Sequence, residues 1–400
     1  MNTVSHKNGK IALAILGKQW VLLFLILEAL YFILQATGFF SVETLQMIFF
    51  YSTEVFLLVT AELLVIITGG IDLSVGYVMG FATVVSSKLM VLFGQLGLSP
   101  LVCILLATAL TLLVGVIPGW VNGCLVARFH VPPFIATFSM LGVAHGISEL
   151  LLQGIPAKNL PQLAGDIGNG YFLYYIPEGR VLNFFIRPLV RRGQHVVALI
   201  PNIVVLSFIF VGIIAFILKR TKFGQHVYAI GGNIDAAIRA GINVKKDLIR
   251  VYIPSSFFAS LAGITYVLKY ITGKADAGAS LLLDAIAAVV IVGASMFGGS
   301  GTVWRTILGC ILIATLETGL RMMGTPTFDK YILVGIILIF AGKVSLAFNN
   351  QFPVQFRNIL KKNFSRFVRI FNRKQIAFFR SSHKASDHFA VLFNILLTGY

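Results

Sequence analysis

The stretch ITGGIDLSVGYVMG, residues 67–80, breaks an otherwise apolar run with two glycines and an acid. On either side lie segments long enough to cross a bilayer, about 20 apolar residues being needed. Gly69 and Gly70 are free to adopt the backbone angles that end a helix. Asp72 can accept from the free N–H groups of a following helix, and its charge complements that helix's dipole. Gly76 and Gly80 then make a small-xxx-small face for close helix contact. The stretch therefore reads as a turn between two membrane spans, at residues 45–67 and 73–93. A capped hairpin accounts for these residues, but an acid within a membrane is costly and commonly marks function. Both readings stand at this stage.

The same criterion applied outward gives ten candidate spans: 18–38, 45–67, 73–93, 99–123, 132–152, 201–218, 251–271, 281–297, 303–323 and 329–347. Composition agrees: 57% of the 400 residues are hydrophobic, 12% are charged, and the mean hydropathy is +0.89. Soluble domains are about half apolar and about a quarter charged. The expected fold class is an all-α membrane protein with about ten transmembrane helices. It has a cytoplasmic N-terminus over 1–17, a membrane domain over 18–347 with a polar loop at 219–250, and a basic amphipathic tail over 348–400. The apolar run after MNTVSHKNGK lacks a small-residue cleavage site, so it reads as the first span rather than as a signal peptide.

The net charge of +17 does not point to nucleic acid, since no base-stacking aromatics stand on a polar, sheet-like background. Placing the N-terminus inside puts 22 of the 32 Lys and Arg on inner segments, which favours an even span count with both ends cytoplasmic. Arg180, Arg187, Arg191 and Arg192, on an outer loop, run against that rule, which long loops obey weakly. In the tail, Phe364, Phe367, Val368, Phe371 and Phe378 fall on one side of a helical projection. Lys362, Arg366, Arg369, Arg373 and Arg380 fall near the other, the pattern of a helix lying on an anionic membrane surface. A basic tail without fixed structure, or a read-through, is the alternative.

The loop KRTKFGQHVYAIGGNIDAAIRAGINVKK, residues 219–246, encloses a miniature helix. Asn233 is a good N-cap, Asp235 falls in the first turn, Arg239 in the last, and Gly241 just past the end. The expected helix, 234–240, is about 10 Å long and marginal by itself. Its full set of caps suggests a stiff surface offered to a partner, with a plain connecting loop as the alternative.

Catalytic chemistry is not legible. Gly-Lys occurs at 9–10, 17–18, 273–274 and 342–343 and is never followed by Ser or Thr, so the GxxxxGK[ST] phosphate loop is missing. The seven histidines are scattered without metal-ligand spacing. Cys103, Cys124 and Cys310 all sit in apolar runs and read as small core residues. His145 and Glu149 share a helix face and suggest a polar helix–helix contact. Gly115, Gly119 and Gly123, and separately Gly142 and Gly146, are spaced for helix packing. Pro132 and Pro133 open the fifth span, where a missing N–H costs little. Asp72, Ser74 and Asn122 are candidates for a solute path, being polar near helix ends. Glu28, Glu54, Glu62, Asp284 and Glu317 fall in or near apolar runs, with no evident basic partners in the sequence. They can line a polar passage, relay protons in a self-sufficient proton-coupled secondary transporter, or be neutralised by a neighbour.

Four motifs in order, TGGIDLSVG, VPPFIATFSMLGVAHG, TKFGQHVYAIGGNIDAAIRAGI and MFGGSGTVWRTILG, resemble the permease subunit of bacterial ABC importers for monosaccharides. That is the ribose, xylose, arabinose and galactose group, and the resemblance covers about residues 45–345. It implies a helical permease in the cytoplasmic (inner) membrane, paired with a second permease copy. It also implies a separate ATPase subunit and a periplasmic sugar-binding protein, with no cofactor on this chain and ATP bound by the partner. In such permeases the loop between spans six and seven docks on the ATPase, here through Gly231, Gly232, Asn233, Ala236, Ala237 and Gly241. The glycine pairs Gly69–Gly70 and Gly298–Gly299 are expected to be structural. Residues 153–200 and the tail after about 348 are extra to the family pattern.

Overall fold

The computed structural model describes residues 21–178, 180–185, 187–188, 195–325, 329–336 and 338. The expected N-terminal segment, 1–17, and tail, 348–400, lie outside these residues, as does a second compact unit at 342–400. Among the described residues, helices and three short strands follow one another. They are α1 (Val21–Gln35), α2 (Val42–Tyr51), α3 (Thr53–Ile67), α4 (Val75–Gln95), α5 (Pro100–Ala127), α6 (Pro133–Leu152) and α7 (Gln162–Asn169). Strands β1 (Tyr171–Ile176), β2 (Val181–Phe184) and β3 (Val197–Pro201) precede α8 (Asn202–Arg220). Then come α9 (Lys222–Gly232), α10 (Ile234–Arg239), α11 (Val244–Tyr270), α12 (Ala279–Ile291) and α13 (Val303–Met322).

Six helices, α4, α5, α6, α8, α11 and α13, are long and apolar enough to cross a membrane. The pair α2 and α3 makes a seventh candidate, bent by 43° at Ser52. Among the described residues the expected first span is helical over the 15 residues of α1, which opens at the first described residue, and the eighth over the 13 of α12. The tenth is described only over 329–336 and 338, all helical. The count of ten is thus not established, although the helical membrane architecture is. The extra segment 153–200 folds partly as α7 and an antiparallel sheet in the order β2-β1-β3, which apolar periodicity did not anticipate.

Helix α3 is buried along its whole length, Glu54 and Glu62 included, the signature of a central helix. Helix α5 buries one stripe, including Cys103, Ala107, Thr111, Gly115, Gly119 and Gly123. It leaves Leu105, Leu113, Ile117 and Trp120 exposed, as a lipid-facing side would be. The glycines in that stripe let α5 press on α11. A Cβ on Gly119 would stand 2.2 Å from the Tyr252 carbonyl oxygen, and one on Gly115 2.0 Å from Ser260 Oγ. Gly142 and Gly146 behave otherwise: nothing in the described chain lies within 4 Å of a Cβ there, so the packing expected of that pair is not made.

Gly76 and Gly80 do serve close contact, but with a turn rather than a helix. A Cβ on Gly80 would stand 1.9 Å from the Ala275 oxygen, and one on Gly76 2.5 Å from that of Gly278. Residues 273–278 thus run antiparallel along α4. Lys274 N–H donates to Thr83 Oγ1 (2.9 Å) and Gly273 N–H to the Ala157 carbonyl (3.1 Å). Non-helical backbone within a membrane domain requires such internal satisfaction. Helix α12 itself starts at Ala279, two residues before the expected span, and falls short because it ends at Ile291, followed by a turn in which Gly293 takes φ +82°.

Replacing Gly119 by Leu is expected to destabilise the fold by about 1–3 kcal/mol, the cost of overpacking a tight contact. Gly142→Leu, which meets open space, is expected to leave stability unchanged. Thermal unfolding midpoints of the two variants in detergent check this.

Candidate functional site

The turn at 67–74 folds back among the helices. Gly69 takes a left-handed angle, φ +83°, and its N–H caps α3 on the Ile66 carbonyl (2.9 Å). Asp72 is not the cap expected of it, because α4 starts after Ser74 without a side-chain cap. The Asp72 carboxylate instead ties three elements. Its Oδ1 accepts from Ser74 N (3.0 Å) and Ser74 Oγ (2.5 Å), and its Oδ2 from Ser255 Oγ of α11 (2.9 Å). Asn122 of α5 donates to Ser74 Oγ at 3.0 Å, and Asp72 N–H donates to Glu62 Oε1 of α3 at 3.2 Å. The three residues expected on a solute path, Asp72, Ser74 and Asn122, are brought together, and none is exposed to solvent.

Turns distant in sequence meet beside this cluster. Gly299 N–H donates to the Ile67 carbonyl at 2.8 Å. A Cβ on Gly231 would stand 1.8 Å from that same oxygen and 2.5 Å from Gly299 N. Gly298 and Gly299 adopt φ +89° and +75°, and a Cβ on Gly298 would stand 2.9 Å from Gly69 N. Gly70 faces the Tyr252 hydroxyl and Pro133. The glycine pairs of the first, third and fourth motifs thus touch one another.

The loop helix forms as α10, Ile234–Arg239, one residue shorter than expected. Asn233 Oδ1 accepts from Ala236 N at 2.8 Å, and Gly241, φ +82°, ends the turn. Gly232, Asn233 and Ala236 are exposed and Gly231 is half-buried, whereas Ala237 is 3% exposed and faces inward. Ile234 and Ile238 stand out on the open side at 48% and 56% exposure. Preceding α9 is fixed to the bundle by two polar contacts. His226 Nδ1 lies 2.7 Å from Asp247 Oδ2 of α11, and the Tyr228 hydroxyl donates to the Gly301 carbonyl at 2.7 Å. Burial pushes the Tyr228 pKa up, which keeps that hydroxyl a donor.

Three of the five acids in apolar runs, Glu54, Asp284 and Glu317, are better partnered than the sequence suggested, whereas neither oxygen of Glu28 has a partner among the described residues. Lys269 Nζ bonds Glu54 Oε2 at 2.9 Å and the Phe50 carbonyl at 2.7 Å, both side chains being buried. Lys330 Nζ bridges Asp284 Oδ2 (2.7 Å) and Glu317 Oε2 (2.8 Å), and Arg321 pairs with Glu317 Oε1 (2.9 Å). Partners lie 13 to 215 positions apart apart from Arg321, so spacing rules cannot find them. Glu62 makes no ion pair among the described residues, and neither does Asp72. His145 packs edge-on against Tyr77 of α4, ring centroids 5.2 Å apart, a ring contact between helices rather than the polar one expected, its Nδ1 having no hydrogen-bond partner among the described residues. Glu149 is exposed on α6.

Replacing Lys269 by Met strands Glu54 in the core and is expected to destabilise the protein by about 3–5 kcal/mol. Adding Glu54→Leu should restore most of the loss, since a buried pair is replaceable by apolar residues. Unfolding of the single and double variants in the same detergent checks this.

Comparison with known proteins falls on this same framework. The family described as branched-chain amino acid transport system / permease component matches residues 44–342. A fructose import permease of Rhizobium meliloti is 32% identical over 76% of this chain and 78% of its own length. A ribose import permease of Bacillus subtilis is 32% identical over 69% of this chain and 76% of its own. A xylose transport system permease of Haemophilus influenzae is 33% identical over 69% and 82% respectively. No solved structure matches the chain. The chain therefore belongs to the branched-chain amino acid transport system / permease component family, among sugar import permeases, as its four motifs suggested.

Proposed function

We propose that this protein is the membrane-spanning permease subunit of an ATP-binding-cassette importer, moving a monosaccharide into the cytoplasm. A separate ATPase drives it, a periplasmic sugar-binding protein feeds it, and a second permease copy completes the pathway. It sits in the inner membrane with both termini in the cytoplasm, so the face carrying α10 is cytoplasmic. ATP is bound on the ATPase, and this chain carries no cofactor.

The observation that carries the reading is α10. It is a capped helix of about 9 Å that offers Ile234 and Ile238 outward, on a base that glycine contacts hold rigidly to the bundle. An ATPase closing on nucleotide would press Gly232, Asn233 and Ala236, while Gly231, Ala237 and Gly241 set the helix in place. Displacement of α9 would pull on α11 through His226 and Asp247, and on the 67–74 turn through the Ile67 carbonyl. Helix α11 also carries Ser255, a ligand of Asp72. A stroke at α10 would therefore reach the Asp72–Ser74–Asn122 cluster, the section of the solute path that is closed here and must part for passage. Glu54, Asp284 and Glu317, each paired with a base, are poorly suited to a proton relay, which weakens the secondary-transport alternative.

Ile234→Glu with Ile238→Glu is expected to abolish co-purification of the ATPase and sugar uptake, while the permease still inserts. Undiminished co-purification would refute the docking role. A cysteine at exposed Ala236 should react with an impermeant thiol reagent only in inverted vesicles; labelling in intact spheroplasts would refute the orientation.

A further inference from the structure

The sheet and the ends of two helices border a hollow of about 810 Å³, lined by β1 and β3 on one side and by α2 and α8 on the other. Helix α8 has 19 residues, about 28 Å, which matches a hydrocarbon core of about 30 Å. It ends at Arg220, just before α9 and α10. With α10 cytoplasmic, as proposed above, its start at Asn202 marks the outer boundary of the core. The hollow runs along α8 from Pro201 to Ile209, about 12 Å, and one leaflet of hydrocarbon is about 15 Å deep. Its lining is apolar except for Gln46, whose amide already donates to the Ala198 carbonyl. It offers a sugar nothing.

The sheet beside it has the chemistry of a bilayer surface. Leu173, in the lining, pairs with Phe184 at the end of β2, and Phe185 N–H donates to the Phe172 carbonyl at 2.9 Å. Phe184 and Phe185 are 54% and 69% exposed, and they meet Phe172 edge-on with ring centroids 5.6 and 4.8 Å away. Tyr171 pairs with Pro201 at this same end of the sheet, where α8 begins. Exposed aromatic rings are enriched at that level, the membrane–water interface. Arg187, also exposed, follows Phe185 by two residues, about 7 Å of chain, on a strand about 5 Å from the one that carries Leu173. A guanidinium there suits phosphate, which it can hold by two parallel hydrogen bonds. Such a partner also accounts for an arginine that runs against the positive-inside rule.

We infer that the hollow and the end of β2 together bind one anionic phospholipid of the outer leaflet, an acyl chain lying in the hollow and the phosphate on Arg187. The occupant is a lipid rather than a second copy of this chain for two reasons. The hollow is confined to the depth of one leaflet, and its lining holds none of the Gly, Ala, Ser or Thr residues that bring helices together in a membrane. A bound chain braces β3 against α2 and α8, which gives the segment 153–200 a role that the import reading leaves open. From that reading the inference takes only the orientation, which labelling at Ala236 reads separately.

The test equilibrates the full-length permease in nanodiscs of equal parts phosphatidylglycerol and phosphatidylcholine, releases it into mild detergent and weighs it by native mass spectrometry. One phospholipid per chain is expected to stay bound, with phosphatidylglycerol favoured about tenfold, the scale of one charged hydrogen bond. Val205→Trp, which fills the hollow from a half-buried position, is expected to lose the lipid. Arg187→Gln is expected to keep a lipid without the preference. Leu113→Trp, on the exposed side of α5, is expected to keep the wild-type pattern. Unfolding midpoints identify variants that fold; should Val205→Trp not fold, Ile209→Trp, at an exposed position in the same lining, takes its place. Wild-type protein that holds no lipid would overturn the inference, as would retention by the folded hollow-filling variant. Loss in Leu113→Trp as well would overturn it by marking the lipid as general boundary lipid. An undiminished preference in Arg187→Gln, together with weaker binding of the sugar-binding protein, would assign the arginine to a protein partner and overturn it too.

Discussion

One carbonyl oxygen, that of Ile67, organises the end of the molecule that carries α10. It accepts from Gly299 N–H while the Cα of Gly231 closes in where any side chain would collide. The central helix α3, the loop before α10 and the turn before α13 are thereby locked at a single point. Packed protein interiors pass displacement on rather than absorbing it. A contact made only of backbone has no side chain to rotate out of the way, so a push on the α9–α10 loop has few places to go but into α3 and the turn that follows it.

That junction was half legible in the sequence. The glycine pairs at 69–70 and 298–299 and the glycine at 231 stood out as residues whose freedom had to be used, and the caps of α10 could be read from Asn233, Asp235 and Gly241. Local rules govern turns and caps, so local reading reaches them. Nothing local says that the three turns touch. The same limit applies to Asp72, whose apparent role as a cap gave way to Ser255, Asn122 and Glu62, residues 10 to 183 positions away or tied through Ser74.

Charge shows the limit most sharply. Glu54 meets Lys269 across 215 positions and Asp284 meets Lys330 across 46, pairings that no periodicity encodes. Span boundaries failed for a different reason. Hydropathy counts apolar residues but cannot tell a helix from a turn, so 281–297 read as one span although its helix ends at Ile291 and irregular chain follows. The glycines that signalled close packing were correctly read at 115, 119 and 123 and wrongly at 142 and 146, because small size permits an approach without requiring one.

The buried start of α12 changes the electrostatics of its surroundings. A helix that begins after a turn packed on α4 presents its leading amide groups inside the bundle, the equivalent of about half a positive elementary charge. In a medium that screens poorly, this end is felt by acids in its vicinity. Asp284, buried, lies five positions after the first helical residue. Part of the penalty for keeping its carboxylate away from bulk water is thus offset by the shape of the backbone, before any lysine is brought to bear.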